Sequence, residues 1–267
     1  MGIKLLCIGV DHYRMRGERL TSCVNDAKDW KELFNQQFRV HEKDITILTT
    51  RRETKATNIL NSIEKLVKEL HDEDIGILFF SGHGAQKELR IDGAKKLVEG
   101  IRGYDSAIYE NELSPILNSL KKKAKFISII DSCHSGGFGI WDKFKEHRLK
   151  TRRNVEFKYA LSENSPYKPD NLKRDKFLLP RQDNQILLAA CASTQLAWGA
   201  DFNGKMNGFF SYYALKKIKE NSKITYTNLL NEIITVMNND DLNSGKEKQI
   251  PEFFYGQRNL FNQPIFN

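Results

Sequence analysis

IGILFFSGHGAQ, residues 75–86, runs from unbroken apolar side chains into a turn of small ones that carries one imidazole, His83. A short apolar run bounded by turn residues reads as a buried strand. The segment IIDSCHSGGFG, residues 129–139, repeats that pattern with Cys133 where the first has its histidine. Strands buried on both faces belong to parallel sheets, and the loops at their carboxyl ends form the ligand crevice of such sheets. His83 and Cys133 are therefore the candidate reactive pair.

Working outward, 3–10 and 45–49 read as strands, and 24–38 between them has apolar residues at helical spacing (Val24, Ala27, Trp30, Leu33, Phe34). The alternation continues with a helix over 55–70, a strand over 75–80, a helix over 111–122 and a strand over 126–130. After a basic segment come a strand over 185–192, a loop, and helices over 209–220 and 226–238. The expected class is α/β, with a mostly parallel central sheet flanked by helices on both faces. One domain over 1–267 is expected, made of a large portion (1–142), a basic connector (143–184) and a small portion (185–267) that continues the same sheet.

The 267 residues, 40% hydrophobic and 28% charged, suffice for a sizeable core and exclude disordered or low-complexity classes. No apolar run approaches the roughly 20 residues of a membrane span, and the amino terminus lacks a cleavage pattern, so a cytoplasmic address is expected. The four cysteines share no metal-ligand spacing, and neither disulfides nor zinc is indicated. The formal charge of +8 is concentrated: residues 143–182 hold 12 Lys and Arg against 5 Asp and Glu. This stretch lacks a sustained period and contains Pro166, Pro169 and Pro180, so it reads as a flexible linker. A solvated connector with no further role is the bland reading of such a charge run.

The chemistry needs both loops. An unperturbed thiol with pKa about 8.5 is only slightly ionised at neutral pH, so a cysteine nucleophile needs a base. An imidazole supplies it and can then protonate the departing amine of a peptide bond. Gly84 beside the histidine lets backbone approach a substrate carbonyl, which makes the Gly84 and Cys133 N–H groups candidate oxyanion-hole donors. Asp131, two residues before Cys133 on an extended strand, sends its side chain to the same side. A carboxylate there would discourage thiolate formation, so it fits a receptor for a substrate cation better than an activator.

The segments SGHG and DSCHSGG, with SCVNDA (22–27), resemble the metacaspases, the caspase-like cysteine proteases found outside animals, in their prokaryotic type. DSAIYENEL (105–113), ACASTQLAW (190–198) and NGFFSYYAL (207–215) extend the resemblance over most of the chain outside the connector. The 50-residue step from His83 to Cys133 matches the caspase spacing, while the animal-caspase pentapeptide Gln-Ala-Cys-x-Gly is absent. The resemblance implies a caspase-like fold and cleavage after Arg or Lys, never Asp. It also implies an acidic pocket built from Asp26 and Asp131 and lined by Cys23 and Ser81. For Asp26 the plainer alternative is a first-turn acid favoured by the helix dipole.

With the first strand starting at residue 3, no prodomain is expected. Control then falls to self-cleavage in the connector, after Arg152, Arg153, Lys173 or Arg174, to calcium, or to an activating partner protein. The sequence requires no cofactor. Glu110, Glu112 and Asp142 are the candidate calcium ligands, but the run of aspartates typical of calcium-dependent metacaspases is missing, and helix-start acids are the plainer reading. Substrates are expected to be peptides or proteins with Arg or Lys before the scissile bond, acted on by a monomer. Relatives in bacteria imply stress or defence roles. The competing reading is a caspase-like interaction module whose connector binds an acidic protein or nucleic acid, although the connector lacks regular aromatic interleaving.

Overall fold

Alternate residues of the buried strands part to opposite faces of one sheet. In β1 (Ile3–Gly9), Leu5 and Cys7 enter one apolar cluster while Leu6 and Ile8 enter the other. After β2 (Ile45–Leu48), β3 (Ile75–Ser81) divides likewise, sending Ile75, Ile77 and Phe79 one way and Leu78 and Phe80 the other. Both faces are apolar because helices cover both, which is why the strands read as continuous hydrophobic runs. The structure is a computed structural model describing residues 2–15, 17–91, 94–133, 155–158, 160–162, 174–175, 182–192, 195–243 and 248–267.

The chain continues through the hairpin β4 (Gly84–Ile91) and β5 (Ala94–Arg102), then β6 (Ala107–Tyr109), β7 (Lys125–Asp131), β8 (Val155–Lys158), β9 (Ala160–Ser162) and β10 (Arg174–Asp175). It ends with β11 (Gln185–Ala189), β12 (Ala197–Phe202), β13 (Lys205–Gly208) and β14 (Glu252–Tyr255). The main sheet has six strands in the order β14-β11-β7-β3-β1-β2, all parallel except β14, which runs antiparallel at one edge. The expected mostly parallel sheet is present, and β11 pairs with β7 as one continuous sheet.

Helix α1 (Cys23–Gln37) packs on β1 with Trp30, Leu33 and Phe34 buried, sharing its face with α4 (Phe209–Glu220) and α5 (Tyr226–Asn238). Trp30 Nε1 donates to Ser211 Oγ at 3.3 Å and joins α1 to α4. Helices α2 (Ala56–Lys68) and α3 (Glu110–Asn118) cover the other face. Helix α3 stops short of the expected 122, where a tightened bond from the Ser119 N–H to the Ile116 carbonyl closes its last turn.

Two parts of the sheet architecture depart from the sequence reading. The expected loop after 192 contains the hairpin β12–β13, whose turn residues Asn203 and Gly204 both have positive φ, 58° and 87°. That pair favours a two-residue hairpin turn, and a side-chain pattern too short to show a period hid it. Residues 84–91 and 94–102 form a second antiparallel pair, within a small sheet ordered β10-β5-β4-β9. The connector, expected to lack regular structure, supplies β8, β9 and β10, which pair with β12, β4 and β5. Short strands held by backbone bonds at a sheet edge need no alternation of side chains, so period analysis does not see them.

Candidate active site

Strands β3 and β7 are register partners to their ends, finishing with Ser81 opposite Asp131. The Gly82 N–H then donates to the Asp131 carbonyl at 3.3 Å as the chains leave the sheet. His83 and Cys133 thus each stand two residues beyond the same pair, at the carboxyl rim where the sequence places them.

His83 is fully buried and held at three points. Its backbone N–H donates to Tyr13 Oη at 2.8 Å, and that hydroxyl donates to the Val10 carbonyl at 3.0 Å. The Tyr13 and His83 rings lie 4.6 Å apart at 42°. Imidazole Nε2 sits 2.9 Å from the Glu18 carbonyl oxygen, and because a carbonyl only accepts, Nε2 carries the hydrogen. In the neutral ring this leaves Nδ1 as the basic nitrogen. Burial pushes the Tyr13 phenol well up from its ordinary pKa, keeping it a neutral hydroxyl. Burial also raises the Glu18 carboxyl, against the opposing effect of the Arg102 guanidinium.

Cys133 is equally buried, within the cluster that contains Trp30, Cys191 and Trp198. Its thiol donates to the Gln195 carbonyl at 2.9 Å.

The residues read as an acidic pocket come together. Asp26 is fully buried; Ser81 Oγ donates to its Oδ2 at 2.7 Å, and Asn207 Nδ2 and the Gly208 N–H donate to its Oδ1 at 3.1 and 2.8 Å. Asp131, also fully buried, accepts at Oδ2 from the Ser211 hydroxyl at 2.6 Å and the Ser211 N–H at 3.2 Å. Both carboxylates therefore address the first turn of α4, whose dipole favours negative charge. Asp26 reaches across to Ser81 and α4, while the start of its own helix is served by Asp11, which accepts from the Cys23 and Val24 N–H groups at 2.9 and 3.3 Å. Cys23 is buried in that first turn; a side chain at Gly9 would meet the Cys23 carbonyl at 2.3 Å, so only glycine lets β1 pass so close.

Gly84 opens β4, with Ile101 and Ala160 as ladder neighbours on its two sides, whereas Cys133 lies past the last residue of β7. Arg174 lies in β10 opposite Leu97, so cleavage after it would first need that pairing undone; Arg152, Arg153 and Lys173 lie outside the described residues. Glu112 Oε2 accepts from the Tyr109 N–H at 2.9 Å as a helix cap, Glu110 Oε1 accepts from Ser114 Oγ at 2.9 Å, and Asp142 lies outside the described residues. Among the described residues no three His, Cys, Asp or Glu side chains cluster as a metal site.

Sequence reasoning did not find Tyr13, Glu18, Gln195 or Ser211. Glu18 and Gln195 act here through main-chain carbonyls, which any residue type supplies. Asn207 and Ser211 lie within NGFFSYYAL, the segment that carried the resemblance, and this was the one available signal.

Among the described residues no helix is long and apolar enough to cross a membrane. The family model of the peptidase C14 caspase domain matches residues 4–261. Metacaspase-1 of Coccidioides immitis is 26% identical over 273 residues, covering 86% of this chain and 57% of its own length. Metacaspase-1A of Aspergillus terreus is 26% identical with 86% and 66% covered, and Metacaspase-1 of Schizosaccharomyces pombe is 22% identical with 93% and 66% covered. The chain thus spans 57% to 66% of the length of these relatives. A crystal structure of a Geobacter sulfurreducens protein shares the fold, with a TM-score of 0.69 at 19% identity over 100% of this chain and 99% of that one.

Proposed function

Since the chain belongs to the caspase-domain family of peptidase C14, we propose that it is a cysteine endopeptidase that cleaves after Arg or Lys. The supporting observation is the shared rim: register-paired β3 and β7 end on Ser81 and Asp131, the two strands lead to His83 and Cys133, and Asp26 is bonded to Ser81.

In this reading His83 takes the Cys133 proton at Nδ1, its Nε2 being bonded to the Glu18 carbonyl. The thiolate attacks the substrate carbonyl, and the developing oxyanion is met by the Cys133 and Gly84 N–H groups. The imidazolium then protonates the departing amine, and water activated by the neutral imidazole hydrolyses the thioester. Asp26 and Asp131 receive the guanidinium or ammonium of the residue before the scissile bond. An ionised carboxylate has about four acceptor positions, and charge-assisted bonds to a buried carboxylate are the strong ones. Helix α4 contributes by holding both acids in place before substrate arrives. Self-cleavage within 143–184 and activation by a partner belong to the same proposal.

The experiment is a panel of fluorogenic peptides differing only in the residue before the scissile bond. Arg and Lys peptides are expected to exceed Leu and Asp peptides in kcat/KM by ~100-fold, about the worth of a desolvated charge pair. Asp131→Asn and Asp26→Asn should shrink that ratio. Preference for the Asp peptide, or a ratio unmoved by both variants, would contradict the specificity. Turnover surviving in Cys133→Ala would contradict the mechanism.

A further inference from the structure

The Gln195 carbonyl receives two thiols. Cys133 Sγ lies 2.9 Å from it and Cys191 Sγ 3.6 Å, which caps the sulfur separation at about 6.5 Å. Cys191 Sγ is also 3.6 Å from the carbonyl of Ser132, the residue preceding Cys133. The fold brings the two cysteines together across 58 positions of sequence. Strand β11 runs parallel to β7 with Ala189 opposite Ile130, and the Ala190 N–H still donates to the Ile130 carbonyl at 3.0 Å. Continued two residues, that alignment sets Cys191 beside Ser132 and diagonal to Cys133. Neighbouring strands are about 4.8 Å apart and rise about 3.3 Å per residue, so diagonal Cα atoms lie about 6 Å apart, inside the range a disulfide spans. Because β11 ends at Ala189, the chain can turn Cys191 to the face Cys133 occupies, and both belong to one apolar cluster.

We propose that Cys133 and Cys191 are a peroxide-responsive dithiol, Cys191 acting as the resolving thiol for the oxidised nucleophile. The inference rests on the reading of Cys133 as the reactive thiol. None of the four cysteines is in a disulfide in the structure, so the reduced form is the one described. The Cys133 thiolate attacks hydrogen peroxide; an S–O bond forms, the O–O bond breaks, hydroxide leaves, and Cys133 becomes a sulfenic acid. The Cys191 sulfur then attacks the Cys133 sulfur. An S–S bond forms as the S–O bond breaks, and the Cys191 proton leaves with the hydroxyl group as water. Turning either side chain to another staggered position moves its sulfur by about 3 Å, so the contact needs rotamer changes and no rearrangement of the sheet. The disulfide blocks the nucleophile reversibly. Without a resolving thiol the sulfenic acid goes on to sulfinic acid, which dithiol reductants do not reverse.

The test uses the full chain as wild type, Cys191→Ser and Cys191→Ala, each reduced, freed of reductant and exposed to hydrogen peroxide. Peptidase activity on an Arg peptide is read before peroxide, after it, and after dithiothreitol; peptide mass mapping is run in parallel. Basal activities of all three are expected within about twofold of one another. Wild type should lose activity and regain most of it with dithiothreitol, its map showing the Cys133 and Cys191 peptides joined with the loss of two hydrogens. Both variants should lose activity without recovery, Cys133 having gained two oxygens. Wild type carrying that same adduct with Cys191 still reduced would overturn the proposal, as would variants recovering as fully as wild type. Absence of basal turnover in wild type would instead reject the peptidase reading, and the mass map would still report whether the two sulfurs couple.

Discussion

Cys7 and Cys133 are both fully buried and lie in the same apolar cluster, yet their surroundings assign them opposite work. Cys7 sits within β1 with Ile47 and Phe79 as register partners on its two sides, and burial pushes its thiol far up from the ordinary range. It is a small hydrophobe. Cys133 stands beyond the end of β7, its thiol on a main-chain carbonyl and the neighbouring strand leading to an imidazole. Exposure does not separate the two. What separates them is position along a strand: Cys7 lies within β1, and Cys133 beyond the end of β7.

The comparison breaks most visibly under paired substitution. Cys133→Ala is expected to lower kcat/KM on an Arg peptide by more than about 1,000-fold, since removing a nucleophile removes the covalent route. Cys7→Ala is expected to do the reverse, keeping turnover while costing about 1–2 kcal/mol in urea unfolding, the usual size for losing a buried atom group. If both substitutions abolished activity, position along the strand would not be the distinguishing feature.

A smaller effect sharpens the contrast through pH. The folded-state pKa of Cys7 lies above its unfolded value, so its contribution to stability is complete below about pH 8.5 and declines as pH rises past that point toward the folded value. By pH 10 this amounts to about 1–2 kcal/mol. Urea unfolding of wild type and Cys7→Ala at pH 7.5 and 10 should show the wild type losing that much more than the variant; equal losses would mean that Cys7 ionises freely in the folded protein.

The same contrast explains what was legible in the sequence. The alternation of apolar runs with helical spacing gave the parallel sheet, and His83, Cys133 and Asp131 stood out because each ends or follows such a run, whereas Ser81 was named only through the family resemblance. Asp26 could be placed on a helix, but its partners Asn207 and Gly208 are about 180 positions away and no local pattern announces them. Main-chain acceptors leave no trace in residue identity, so the Glu18 and Gln195 carbonyls were invisible. The β12–β13 hairpin was legible in principle from Asn203 and Gly204. The short edge strands of 155–175 were not, because they depend on backbone bonds to β12, β4 and β5 and not on their own side chains.

The most direct measurement is covalent trapping with an argininyl chloromethyl ketone, a reagent that offers a cation to the acidic pocket and an alkylating carbon to whichever nucleophile stands beside it. Intact mass and peptide mapping are expected to show one adduct, on Cys133, prevented by an excess of arginine substrate and absent from an aspartyl reagent of the same build. An adduct on Cys7, Cys23 or Cys191 in its place, or equal labelling by the aspartyl reagent, would contradict the account.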